Sequence, residues 1–272
     1  MRHRSSVEAH HFEALGTSCS LFGLGVTRSQ LLQGEFWVRE LCARITRFSD
    51  RSELALLNGA EGAWVDVSAE MEALLWEALR AYELSAGLVN AAVLPSMLAI
   101  GYTRSLAAGA STAKLEDARP APRLPDVLSV QRGRARLELG CGVDLGGIAK
   151  GWMADRLAAR LGSNALANLG GDLRANGPGP NGDGWPVGFA GVTVMLRDQG
   201  AATSSVRRRR WGDLHHLIDP RTGLPSQSGL EEVSVVAATG CDAEVVAKTA
   251  LLLGPGLATA YCAAHAQAWW LS

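Results

Sequence analysis

Two rhythms of apolar residues run through the chain, and each predicts its own elements. Helical spacing is clearest over 69–86, where Met71, Leu74, Leu75, Ala78, Leu79 and Tyr82 form one stripe. Ser68 is placed to cap that helix, Glu70 and Glu72 suit its positive end, and Gly87 is placed to stop it. Leu31, Leu32, Phe36, Val38, Leu41, Cys42 and Ile45 predict an earlier helix with Gly34 as a weak point inside it. A third helix is expected over 149–161, with Trp152, Met153, Leu157 and Leu161 apolar and Gly162 at its end. Asp242 is placed to cap a last major helix running to about Leu253.

Alternating segments predict strands at 134–139, 165–169 and 232–238, with 185–190 and 192–197 as a pair. Residues 11–25 read as a strand or the start of a hairpin, and 47–58 as a polar, turn-rich stretch. The stretch 89–102 carries Pro95 and Gly101 and reads either as a short helix or as irregular. Residues 108–127 are small, polar and Pro-rich, and predict a flexible surface loop rather than a domain linker. Strands outnumber a simple alternation with helices, so the expected class is α+β, with one domain over 1–272.

Composition narrows the function classes. The 272 residues are 47% hydrophobic and 19% charged, which excludes a disordered or collagen-like chain. Lys and Arg number 26 against 27 Asp and Glu, a net charge of −1 that supplies no global attraction to nucleic acid. The five cysteines are far apart and lack a Cys-x-x-Cys, so neither a disulfide framework nor a zinc knuckle is expected. No apolar segment stands behind the charged N-terminus as a secretory signal requires, and 89–100 and 249–257 are too short or too polar to span a bilayer. The expectation is a soluble cytoplasmic protein with no membrane partner.

Four segments carry candidate chemistry. In Val143-Asp-Leu-Gly-Gly-Ile-Ala-Lys-Gly151, a strand runs through paired glycines into a helix start. The segment reads either as a phosphate site, with backbone N–H groups and Lys150 as donors, or as a tight turn with a solvated lysine. It matches neither the P-loop nor the dinucleotide fingerprint. Asn168-Leu-Gly-Gly-Asp172 repeats the strand-to-glycine pattern, and its alternative is plain turn chemistry. His215-His-Leu-Ile-Asp-Pro-Arg-Thr-Gly223 gathers His216, Asp219, Arg221 and Thr222 around a turn. Neighbouring His215 and His216 point to opposite faces if the backbone is extended, so at most one faces a given site. Glu244 and Lys248 lie four apart on one helix face, where a surface ion pair is the plain alternative. The basic run Arg207–Arg210 reads as a solvated strand or loop, with contact to nucleic acid or a phosphate as the alternative.

In order, these segments resemble the FAD:protein FMN transferase (ApbE) family across nearly the whole chain. The resemblance starts at Leu15-Gly-Thr17, continues through Ser52-Glu-Leu with Asn58 and through Ser85–Asn90, and is strongest in Asp144–Gly151, Asn168–Asp172, Ala202–Ser205 and His216–Gly223. It implies a single α+β unit with FAD in a cleft between two lobes. It also implies transfer of FMN from FAD to a Thr or Ser hydroxyl of a target flavoprotein, with AMP released and magnesium helping. By that resemblance, His216 is the base or the group that orients the nucleophile, Lys150 faces the pyrophosphate, and Asp219 belongs to the catalytic set. Thr17, Asn90, Asp144, Gly146, Gly147, Asn168, Gly171, Asp172, Ser204, Arg221 and Gly223 would shape the flavin and phosphate pocket. The Ala149 carbonyl and Glu244 would face the metal.

The chain departs from the family pattern at several points. The family's last motif, Ala-Asp-Ala-Leu-Ala-Thr, supplies an Asp and a Thr to magnesium; Glu244 and Lys248 stand at those places. Glu lengthens the arm, and an ammonium has no lone pair for a metal, so Lys248 either repels the cation or sits in its place. Asn90 stands where the family often has Asp, and Ser205 where Gly is common. Two other functions stay open at this level: a non-catalytic FAD-binding or regulatory protein, and an FAD pyrophosphatase yielding FMN and AMP.

Overall fold

Alternation at the N-terminus builds a hairpin. Val7–Ala14 pairs antiparallel with Thr17–Leu24 across a turn at Leu15 and Gly16, whose φ angles of 58° and 68° match the twist of the strands they join. Cys19 and Leu21 face inward along the second strand. The computed structural model describes residues 6–189 and 191–272. Residues 1–5 of the charged N-terminal stretch, and Ala190 at the end of the expected 185–190 strand, lie outside the described residues.

The hairpin forms one edge of a seven-stranded sheet. Its order is Val7–Ala14, Thr17–Leu24, Ala165–Leu169, Asp172–Asn176, Gln199–Ser205, Glu232–Ala237 and Ala268–Leu271. Every neighbouring pair is antiparallel, so the class is α+β as expected. One face packs on the helices Arg28–Ile45, Ala149–Leu161 and Gly240–Leu253, through Leu21, Leu31, Val38, Leu157, Leu169 and Val245. Alternate residues, Leu166, Leu173, Ala201 and Val236, face the other way and meet Trp185, Phe189 and Leu196 of a covering hairpin, Trp185–Phe189 with Val192–Leu196. A smaller three-stranded sheet joins Val65–Asp66, Arg134–Leu137 and Leu128–Gln131.

Several expectations change. The segment 47–58 contains a helix, Glu53–Asn58, whose first turn is capped by Ser52 Oγ accepting from Ala55 N–H at 3.0 Å. Asp242 is not the cap of the Gly240–Leu253 helix. Thr239 is, with Oγ1 accepting from Asp242 N–H at 3.0 Å, and Asp242 sits in the first turn. A further helix, Pro255–His265, follows it. Pro95 is compatible with a short helix at Leu94–Ala99 because it lies at the helix start. Gly34 is no defect, since a Cβ there would stand 3.0 Å from both Leu157 and Leu21. Its absence lets the Arg28–Ile45 helix approach its neighbours.

The 108–127 segment is tied to its surroundings at several points. Ser111 N–H bonds the Gly101 carbonyl at 2.9 Å, Ala121 N–H bonds the Pro220 carbonyl at 2.8 Å, and Ser96 Oγ donates to the Arg119 carbonyl at 3.0 Å. Leu124–Val127 closes the segment as a short helix. Among the described residues no helix is long and apolar enough to cross a membrane.

Candidate functional site

The Ala149–Leu161 helix starts without a side-chain cap. Its first turn is satisfied instead from the Gly240–Leu253 helix: Gly151 N–H donates to Glu244 Oε2 at 2.9 Å. The two helix starts touch there, and a Cβ on Gly151 would lie 2.5 Å from the Gly240 carbonyl oxygen. The N–H groups of Ile148 and Ala149 turn back to the Leu145 carbonyl. The expected open row of N–H donors is therefore partly used within the chain, and the charged side chains around it define the site.

Lys150 pairs with Asp172 and lies 3.3 Å from Glu244 Oε1. Asp172 and Glu244 are almost fully buried, at 2% and 4% side-chain exposure. Burial pushes the Lys150 ammonium down to about 8, although the Glu244 carboxylate pulls the other way. Burial alone would raise the Glu244 carboxyl, but Lys150, Lys248 and the Gly151 N–H outweigh it, and its pKa ends below the usual value. Lys248 donates to the Gly147 carbonyl and stands 4.0 Å from Glu244 Oε1. It too is shifted down by burial, with Glu244 and Asp144 opposing. The Glu244–Lys248 pair is thus an interior contact rather than a solvated surface pair.

His216 faces this cluster. Its pKa lies well below the ordinary imidazole value because burial disfavours the charged ring and because the charges of Arg209, Lys248 and Lys150 act on it. Its ring is neutral near pH 7, and among the described residues its buried Nδ1 has no hydrogen-bond partner. His215 points elsewhere, as the alternation requires. Its Nε2–H donates to the Ser226 carbonyl at 3.0 Å, and its Nδ1 accepts from Leu217 N–H at 3.3 Å.

The glycine turns bring further expected residues to the cluster. Asn168 Oδ1 accepts from Gly171 N–H at 2.9 Å, and a Cβ on Gly170 would lie 2.3 Å from Thr17 Cγ2, so Thr17 borders the Asn168–Asp172 turn. Asp144 Oδ1 accepts from Gly146 N–H at 2.9 Å, and its Oδ2 accepts from Arg47 Nε at 2.7 Å. Arg47 lies over the rings of Phe48 and Tyr102, 4.3 and 4.6 Å from their centroids, and Tyr102 packs on Trp211 at 5.3 Å. Arg47 also lines a recess of about 680 Å³ with Asn58, Leu94, Leu98 and Leu139. Ser204 lies buried in Gln199–Ser205, paired in register with Val233.

Other expected residues bond within the chain. Asp219 and Arg221 bind each other, with Arg221 Nη2 2.7 Å from Asp219 Oδ2 and 3.0 Å from the Leu252 carbonyl. Burial alone would raise the Asp219 carboxyl, but the Arg221 hydrogen bonds bring it below its usual value. Gly223 closes that turn through its N–H to the Asp219 carbonyl at 2.8 Å. Asn90 spends its amide on the chain: Nδ2 donates to the Pro122 carbonyl and Oδ1 accepts from Ala92 N–H. The carbonyl that meets a cation is that of Gly147, two residues before Ala149.

Sequence reasoning missed Arg209 and Arg47. Within the basic run, Arg207 pairs with Glu231 at the surface. Arg209 has φ 50°, bonds the Leu15 carbonyl at 3.2 Å, and bears electrostatically on His216, Lys150 and Lys248. The site therefore assembles a neutral imidazole, two buried ammonium groups and a guanidinium, anchored by carboxylates. Such a set can neutralise a polyanionic phosphate and accept a proton beside it.

The ApbE family model matches residues 15–270, and the chain belongs to that family. A FAD:protein FMN transferase of Treponema pallidum is 31% identical over 245 residues, covering 75% of this chain and 66% of the relative. The enzyme of the same name from Haemophilus influenzae is 24% identical over 251 residues, covering 80% and 70%. One from Klebsiella pneumoniae is 34% identical over 148 residues, covering 47% and 43%. The chain thus spans two thirds or less of the Treponema and Klebsiella relatives. In structure it superposes on the apo flavinyl transferase ApbE of Pseudomonas stutzeri with a TM-score of 0.82, at 19% identity over 98% of this chain and 95% of that one. The ApbE protein of Thermotoga maritima gives 0.80 at 22% identity over 91% and 87%.

Proposed function

We propose that the chain transfers FMN from FAD to a Thr or Ser hydroxyl of a target flavoprotein and releases AMP. The observation that carries this reading is His216, a neutral imidazole with an unpartnered buried Nδ1, facing Lys150, Lys248 and Arg209. The shared name of the relatives and the match over residues 15–270 support it. In the reaction, the acceptor oxygen forms a bond to the FMN-side phosphorus. The bond from that phosphorus to the bridging oxygen breaks, and AMP leaves with that oxygen and its electron pair. The hydroxyl proton passes to His216. The cations stabilise charge as it moves onto the phosphoryl oxygens. Five unpaired cysteines are consistent with a reducing, cytoplasmic setting.

The test is one chromatographic experiment. The purified protein is incubated with FAD, with and without a flavoprotein acceptor, and AMP, FMN and protein-bound flavin are quantified. AMP together with acceptor-bound flavin is expected. AMP with free FMN, independent of acceptor, would make the protein a pyrophosphatase. Intact FAD retained by the protein would make it a flavin-binding protein.

A further inference from the structure

The resemblance implies a magnesium ion held by a backbone carbonyl and the pair at positions 244 and 248, and the donor set does not fit one. Magnesium takes a near-octahedral shell of oxygen ligands. Among the described residues no group of three or more His, Cys, Asp or Glu gathers for a metal. The one carboxylate at the place in question, Glu244, is already engaged: Oε2 accepts from Gly151 N–H at 2.9 Å and Oε1 from Lys150 at 3.3 Å. The remaining position is filled. Lys248 Nζ donates to the Gly147 carbonyl, lies 4.0 Å from Glu244 Oε1, and sits so close to the turn that a Cβ on Gly147 would be 2.7 Å from it. An ammonium offers three donors and no lone pair, so it competes with a cation for the same oxygens and cannot coordinate one.

We propose that Lys248 is the resident cation of this site, and that its ammonium takes the place of a divalent metal in neutralising the pyrophosphate of FAD. The inference rests on the transfer reading above. Lys248 breaks and forms no bond. It donates N–H to non-bridging phosphoryl oxygens while the acceptor oxygen bonds to phosphorus and AMP departs. One charge replaces two, and Lys150 and Arg209, which bear on the same group, make up the difference. Burial favours this role: Lys248 is 14% exposed and its i,i+4 partner Glu244 is 4% exposed, so both act in a medium where water screens little.

The test has two arms on the wild-type protein and one on variants. Free Mn²⁺ is followed by electron paramagnetic resonance as protein is added without flavin; the free-ion signal is expected to stay unchanged. AMP release from FAD, with the flavoprotein acceptor present, is measured in excess EDTA and in millimolar Mg²⁺; equal rates are expected. Lys248→Met is expected to lose about 100-fold in AMP release, not restored by Mg²⁺, while Lys248→Arg retains most of the rate. Melting curves establish that each variant is folded, and if Lys248→Met is not, the wild-type arms decide. Stoichiometric Mn²⁺ binding by the wild type, release abolished by EDTA, or full release by folded Lys248→Met would each overturn the inference with the transfer reading intact. No AMP in any tube overturns the transfer reading, and this inference with it.

Discussion

Replacing Lys150 by Met should damage stability and catalysis by separable routes. Lys150 is the cation of Asp172, whose side chain is 2% exposed, and it also contacts Glu244 at 4%. Removing one partner of a buried pair strands the other charge, at a cost of about 3–5 kcal/mol. For a chain of this size, about 2 °C of melting temperature per kcal/mol gives a fall of roughly 6–10 °C. Glu244 keeps Lys248 and the Gly151 N–H, so Asp172 bears most of the loss. Adding Asp172→Asn removes the stranded charge, and the double variant should melt within about 2–4 °C of wild type. AMP release should stay down by about 10²–10³-fold in both, because the neutral pair restores the interior but not the charge facing the pyrophosphate. The assays are thermal melts and AMP quantification on wild type, both single variants and the double. Additive melting shifts would refute the buried pairing, and a double variant turning over at the wild-type rate would remove Lys150 from the pyrophosphate role.

Three further outcomes follow from the same geometry. Arg209→Ala should lower AMP release about tenfold or more, whereas Arg207→Ala, at the surface with Glu231, should leave it unchanged; equal effects would refute the inward placement of Arg209. His215 and His216 both have folded pKa values below the unfolded value near 6.5, so the unfolded chain binds more protons on acidification. Their contribution is full above pH 6.5 and lost as pH falls toward the folded values, so melting temperature should drop between about pH 7 and 5, and a His215→Asn/His216→Asn variant should flatten that slope. Gly223→Ala places a Cβ 2.0 Å from the Arg119 carbonyl at φ +76°, and should speed limited proteolysis within 108–127 by loosening its anchor; unchanged cleavage would show that the anchor does not depend on this turn.

The helices were legible because their apolar stripes are long and regular. The 149–161 helix has the expected bounds, and the 69–86 helix ends two residues early at Leu84. The strands at the centre of the sheet were harder to read. Asp172–Asn176 alternates Asp, Arg and Asn with Leu and Ala, and Gln199–Ser205 is built from small residues. Asp172–Asn176 carries no β-branched or aromatic residue and Gln199–Ser205 only Thr203, because both lie between paired neighbours where small side chains admit a helix closely. The Gly240–Leu253 helix had two residues able to cap it. Thr239 wins because Gly240 and Cys241 are already buried against Asp155, whose carboxylate accepts both of their N–H groups, so the helix begins before Asp242.

At the site, the motifs were visible but their pairing was not. Asp219 reads as a catalytic residue and Arg221 as a pocket residue, and the structure adds that these oppositely charged groups, two residues apart on a tight turn, bind each other. Arg207–Arg210 reads as one solvated run, and only the left-handed backbone at Arg209 carries a guanidinium inward. The balance of charge explains why these placements go together. Three buried or half-buried cations act on His216, while Asp172, Glu244 and Asp144 pair with or offset them. Without a ligand, burial first and the positive charges next keep the proton affinity of His216 low. A pyrophosphate set among Lys150, Lys248 and Arg209 cancels those charges and raises the affinity of His216 for the hydroxyl proton. Under the transfer reading, the base therefore gains proton affinity when FAD is in place, because the cations that bind the phosphates add to the burial that keeps the imidazole neutral in their absence.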